Sequence, residues 1–110
     1  MKIAIPTAQG KLTMHFGHCE TFTLTTVENN SINASEDLKA PPHEPGLLPR
    51  WLAEKNVDLI IAGGMGQRAQ QLFADQGIKV IVGAPSESSE TLVNRYLEGN
   101  LTTGTNLCDH

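Results

Sequence analysis

The sequence predicts an α/β fold, a five-stranded mixed sheet flanked by three helices in one domain spanning residues 1–110. Three observations carry that expectation. Val57-Asp58-Leu59-Ile60-Ile61-Ala62 is a nearly continuous apolar run, the pattern of a strand covered on both faces. From Glu20 to Val27, Phe22 and Leu24 alternate with Thr21, Thr23 and Thr25, a period of two rich in β-favouring threonine. Three amphipathic helical stretches follow, separated by short apolar segments, the β-α-β-α order of parallel strands packed under helices.

Taken in order, Lys2–Ile5 reads as a short buried strand ended by Pro6, and Thr7–Phe16, with Gly10, as an extended loop. Glu20–Val27 is the second strand. Asn29-Asn30 tolerates positive φ and predicts a tight hairpin, so Ser31–Leu38 returns as a polar edge strand. Ala40–Gly46 is a proline-rich connector. A helix begins near Pro45, with Leu47, Leu48, Trp51 and Leu52 on one face and Pro49 tolerated in its first turn. After the strand Val57–Ala62 comes Gly63-Gly64-Met65-Gly66. A second helix then runs from about Gln67 to Gln76 and stops at Gly77. Ile78–Val82 is the last strand. Pro85-Ser86-Glu87 leads a third helix carrying Leu92, Val93, Tyr96 and Leu97, stopped by Gly99, and Asn100–His110 is an irregular tail.

Composition excludes several classes of function. Eight basic against twelve acidic residues give a formal charge of −4, which offers no electrostatic case for wrapping nucleic acid or adhering to anionic lipid. No apolar run approaches the roughly 20 residues that span a bilayer, and Met1–Pro6 has no signal-peptide pattern. Two cysteines make no secreted disulfide framework, so the expectation is a cytoplasmic protein with reduced thiols, where a Cys19–Cys108 disulfide is disfavoured. Catalytic constellations are poorly supported too: a Cys19 nucleophile with a nearby histidine is conceivable, but no third orienting group can be named. No serine sits in a nucleophile elbow, and Lys2–Pro6 carries none of the carboxylates that Mg²⁺-dependent nucleases gather on such a sheet.

What stands out is the placement of soft donors. Met14-His15-Phe16-Gly17-His18-Cys19 and Cys108-Asp109-His110 hold both cysteines and three of the four histidines, near opposite ends of the chain. Imidazole and thiolate suit zinc, copper, iron and iron–sulfur clusters. His43, among prolines, reads as a surface residue. His18 and Cys19 are neighbours where a strand begins, so their side chains point to opposite faces, and a simple four-ligand ion site is awkward there. In an open α/β sheet, ligands gather beyond the carboxyl ends of the strands. That rule sets the His/Cys loop beside Gly63-Gly64-Met65-Gly66-Gln67-Arg68, where glycine amides, a helix N-terminus and the Arg68 charge favour an anion. The glycine stretch is neither a Walker motif nor a full dinucleotide fingerprint, and it also reads as a turn for close strand–helix packing.

The three motifs His15-Phe16-Gly17-His18-Cys19, Ala62-Gly63-Gly64-Met65-Gly66-Gln67-Arg68-Ala69 and Cys108-Asp109-His110, in this order, resemble the dinitrogenase iron–molybdenum cofactor biosynthesis family. Within it they resemble the small stand-alone members of molybdenum–copper orange-protein type, as does the Pro41–Gly46 connector. The resemblance implies a ribonuclease-H-like three-layer fold without nuclease activity and a non-catalytic role in binding or carrying metal–sulfur clusters. It further implies a molybdenum–copper sulfide cluster held largely non-covalently, and partnership with ATPases of the MinD/ParA type. Under this reading Lys11, Met14, Gly63, Gly64, Met65, Gly66, Gln67 and Arg68 are the candidate cofactor-facing residues, while His15, His18, Cys19, Cys108 and His110 are candidate metal donors that shape and guard the pocket, with direct coordination by Cys19 or Cys108 left open. Two other readings of the same residues stand beside it. One is a zinc or iron site built from Cys19, Cys108 and histidines, with a structural or sensor role. The other is a phosphate- or nucleotide-binding module at Gly63–Arg68.

Overall fold

The structure, a computed structural model, describes residues 1–13, 21–41 and 46–104. Its elements run β1 (Lys2–Ala8), β2 (Lys11–Leu12), β3 (Thr21–Glu28), β4 (Ser31–Lys39), α1 (Leu47–Glu54), β5 (Leu59–Ile61), α2 (Gln67–Asp75), β6 (Lys79–Ile81) and α3 (Ser89–Glu98). The sheet order is β4-β3-β1-β5-β6, with β2 paired to β1. β1, β5 and β6 are parallel, whereas β3 and β4 run antiparallel, so the sheet is mixed. Alternation along β1 sends Ala4 to one face and Ile3 and Ile5 to the other. Ala4 joins Phe22, Leu24, Leu48, Leu52, Ile60 and Phe73 beneath α1 and α2, while Ile3 and Ile5 join Leu59, Ile61, Leu92 and Val93 beneath α3. The result is the expected three-layer arrangement.

Most boundaries follow their local signals. Asn29 and Asn30 take φ of 52° and 62° and close the β3–β4 hairpin. β4 is mostly exposed, as an edge strand should be. Gly77 and Gly99 follow α2 and α3 with φ of 78° and 77°, left-handed caps that glycine adopts without a Cβ penalty. At the other end of α3, Ser88 accepts the Thr91 amide at 3.2 Å and donates to the Thr91 hydroxyl at 2.8 Å. Replacing Ser88 by alanine is expected to cost about 1 kcal/mol in urea unfolding, the usual worth of an N-cap. An unchanged midpoint would show that water replaces the hydroxyl without loss.

Two expectations about the first strand need correction. The sheet has six strands, not five, because Lys11–Leu12 folds back on Thr7–Ala8 through a two-residue turn at Gln9 (φ 55°) and Gly10 (φ 81°). In addition, Pro6 does not end β1. The Lys2 carbonyl accepts the Asp58 amide and the Pro6 carbonyl accepts the Thr13 amide, so even-numbered backbone groups of β1 face away from β3. On that side the β1–β5 pairing covers only Ile3 and Ala4. Proline has no amide to extend that pairing, but the β1–β3 ladder does not use it and its register runs on through Pro6–Phe22 and Thr7–Thr21, so the strand continues.

Candidate functional site

The carboxyl ends of β1, β5 and β6 define one edge of the sheet, and the loops leaving it are tied together by backbone hydrogen bonds. Ala62 donates to Ile81 at 2.8 Å, Ala84 donates back to Ala62 at 3.1 Å, and Gly83 donates to Gly63 at 3.0 Å. Beyond β1, Thr13 donates to Pro6 at 2.9 Å and Leu12 to Glu87 at 2.9 Å, while the Ser86 hydroxyl donates to the Leu12 carbonyl at 3.0 Å. Behind this edge lies a small polar chain on the α3 face. The Thr23 hydroxyl donates to the Asp37 carboxylate at 2.7 Å and therefore accepts from the Thr7 hydroxyl at 3.0 Å. Thr7 and Thr23 are both buried, so the three strands are cross-linked by polar groups just below the rim.

The glycine loop has two different parts. Gly63, Gly64 and Met65 are buried. The Met65 side chain, 1 % exposed, belongs to the core beneath α1 and α2, and its carbonyl accepts the Gln70 amide group at 2.9 Å. Its thioether thus faces the core, not the surface. Gly66 caps α2 in extended conformation with no side-chain cap, and the first turn of α2 carries no acidic residue. The first amides of α2 consequently keep their attraction for an anion. Gln67 and Arg68 are exposed at this terminus. Lys11 is also exposed and lies on β2, bridged to Ser88.

Met14, His15, His18, Cys19, His43, Cys108 and His110 lie outside the described residues, and the described residues that flank them fix where each segment departs. Segment 14–20 leaves from Thr13, bonded to Pro6, and returns at Thr21, which pairs with Thr7. Segment 42–45 follows β4, whose last residue, Lys39, pairs with Thr21. Segment 105–110 continues from Gly104, whose amide donates to Gly83 at 2.6 Å. All three segments are therefore entered from the carboxyl edge of β1, β5 and β6. Together they hold every histidine and every cysteine of the sequence. Cys108, four residues beyond Gly104, has no more than about 14 Å of extended chain between them. Among the described residues no group of three or more His, Cys, Asp or Glu side chains forms an ion site.

Two features of the edge escaped the sequence reading. Lys39 is an exposed cation at the end of β4, and its placement depends on the β3–β4 register, not on any local motif. Gly83 has φ of 82° and meets both Gly63 and Gly104. A lone glycine after a strand signals a turn, but not which backbone it touches.

Residues 1–99 match the profile of the dinitrogenase iron-molybdenum cofactor family. An uncharacterized protein of Methanocaldococcus jannaschii is 33 % identical over 106 residues, covering 92 % of this chain and 89 % of that protein. Among solved structures, the crystal structure of the protein PH0822 superposes with a TM-score of 0.87 at 24 % identity, over 94 % of each chain. The apo form of the orange protein from Desulfovibrio gigas superposes with a TM-score of 0.75 at 20 % identity, over 96 % of this chain and 93 % of that one. At these identities the two superpositions establish the fold. No helix among the described residues is long and apolar enough to cross a membrane.

Proposed function

We propose, on the premise that this chain belongs to the dinitrogenase iron-molybdenum cofactor family, that it binds or carries an anionic metal–sulfur cluster at the carboxyl edge of its sheet and performs no catalysis on it. The observation that carries this reading is the strand register, which starts all three histidine- and cysteine-bearing segments from the edge that also presents the α2 N-terminus. The donor set fits such a group. Thiolates and imidazoles suit copper and molybdenum sulfide, and an uncapped helix start with Arg68 beside it suits negative charge. A bare zinc ion, itself cationic, has no use for that second feature.

The cluster proposed in detail is a molybdenum–copper sulfide. His15, His18, Cys19, Cys108 and His110 would line or ligate it, with Lys11, Met14, the backbone of Gly63, Gly64 and Gly66, and Gln67 and Arg68 around it. Lys39 adds a further cation at the same rim. Bridging sulfide comes with such a cluster, so the chain need only shape, shield and neutralise it. Delivery to or from an ATPase of MinD/ParA type in the cytoplasm is the accompanying proposal for its partner.

Incubation with tetrathiomolybdate and Cu(I) is expected to give a coloured protein that keeps molybdenum, copper and sulfide through gel filtration. A colourless protein with no retained molybdenum, or one that leaves the cell with stoichiometric zinc, overturns the reading. A thermal shift by inorganic phosphate, lost in Arg68→Ala, would instead support the anion-binding module.

A further inference from the structure

We propose that Gly83 is a positioning residue that clasps the chain at Gly104, from which the C-terminal segment departs, to the start of the Gly63–Gly66 loop. The Gly83 amide donates to the Gly63 carbonyl at 3.0 Å, and the Gly83 carbonyl accepts the Gly104 amide at 2.6 Å. A single residue thereby joins the start of the glycine loop to the root of the tail. Only glycine fits. Its φ is 82°, and a Cβ built there would stand 2.1 Å from the Gly104 oxygen and 2.8 Å from the Gly104 carbonyl carbon. Those contacts are backbone on backbone, so no side chain can swing aside to relieve them. Gly104 has no such constraint. It lies outside the left-handed region, and a Cβ on it would meet the Gly83 oxygen only at 3.8 Å, an ordinary contact.

The asymmetry between the two glycines makes the clasp testable in the metal-free protein. In backbone amide hydrogen exchange, Gly83→Ala is expected to strip protection from the Gly104 amide by about tenfold, the weight of one lost hydrogen bond, while Leu59–Ile61 keep theirs. Gly104→Ala should keep the wild-type pattern. Gly104→Pro removes the donor and sets its ring carbon against the Gly83 carbonyl, so it breaks the clasp while residue 83 stays glycine, and it carries the test should Gly83→Ala fail to fold. Both disruptive variants are expected to shift the Gly64 and Gly66 amide resonances, because the loop and the tail share Gly83. Full protection of the Gly104 amide in Gly83→Ala, or changes confined to the tail, would overturn the clasp.

Its consequence for binding rests on the metallocluster reading above. After loading with tetrathiomolybdate and Cu(I), Gly83→Ala and Gly104→Pro should retain several-fold less molybdenum than wild type, and Gly104→Ala as much. Wild type that retains none defeats the metallocluster reading but leaves the exchange result to judge the clasp on its own. Equal retention in all four proteins, with the Gly104 amide exposed, would show that the clasp holds the tail but plays no part in binding.

Discussion

Replacing Phe73 by alanine is expected to destabilise the protein by about 3–5 kcal/mol, the range for truncating a fully buried phenylalanine. Phe73 is 0 % exposed and packs into the core beneath α1 and α2 with Leu52, Ile60 and Met65. It is the only fully buried side chain of α2, so the truncation removes the main anchor of that helix. Its backbone is committed as well, since its carbonyl accepts the amides of both Gln76 and Ile78 and so sets the turn into β6. Small domains have only about 5–15 kcal/mol of net stability, so the loss is a large fraction of the whole. At roughly 4–8 °C per kcal/mol for a domain approaching this size, the melting temperature should fall by on the order of 15 °C or more. Phe73→Leu, which keeps most of the volume, should cost less than about 1.5 kcal/mol. A loss below about 1 kcal/mol for the alanine variant would mean that α2 is not seated as described. The effect reaches the candidate site, because the helix that Phe73 anchors begins at Gly66–Arg68.

How much of this was legible in the sequence depends on the distance over which each feature is encoded. The Leu59–Ile61 strand, the Asn29-Asn30 hairpin and the glycine stops of α2 and α3 are local events, and each residue pattern was sufficient. The β2 hairpin was not legible, because its turn puts Gln9, not a residue that favours positive φ, in the left-handed region ahead of Gly10. Pro6 reads as a stop by a local rule, which cannot know that the β1–β3 ladder on its other side continues to Thr7. The site divides in the same way. The glycine loop follows from a strand, three glycines and a helix start, and so does the anion preference expected of it. Met65 is different, since its side chain is taken into the core, which only tertiary packing decides. That the segments 14–20, 42–45 and 105–110 depart from one edge follows from pairings between distant residues, Thr7 with Thr21, Thr21 with Lys39 and Gly83 with Gly104. No spacing along the chain records those pairings.

The strongest discrimination between an anionic cluster and a bare cation comes from reversing the charge of Arg68. Arg68 is exposed in the first turn of α2, two residues beyond the uncapped Gly66, and that turn holds no acidic side chain. Arg68→Glu changes the local charge by two units where the helix dipole is positive. For folding, an acid in the first turn is favourable, so thermal stability should be unchanged or slightly raised. For a bound anion the same change is repulsive at close range, and retention of the molybdenum–copper sulfide should drop by about tenfold at low ionic strength. Binding therefore falls while stability is kept or raised, a combination that a misfolded variant cannot imitate. Because the group is exposed, the deficit should shrink as salt rises past about 0.15 M, where the screening length falls to roughly 8 Å. Arg68→Gln, which removes one charge without adding another, should lie between. Elemental analysis of gel-filtered, cluster-loaded protein across a salt series reads all of this. If Arg68→Glu holds as much cluster as wild type, the α2 terminus is not part of the binding surface. If it binds zinc more tightly and no molybdenum, the edge is a cation site built from the histidines and cysteines alone.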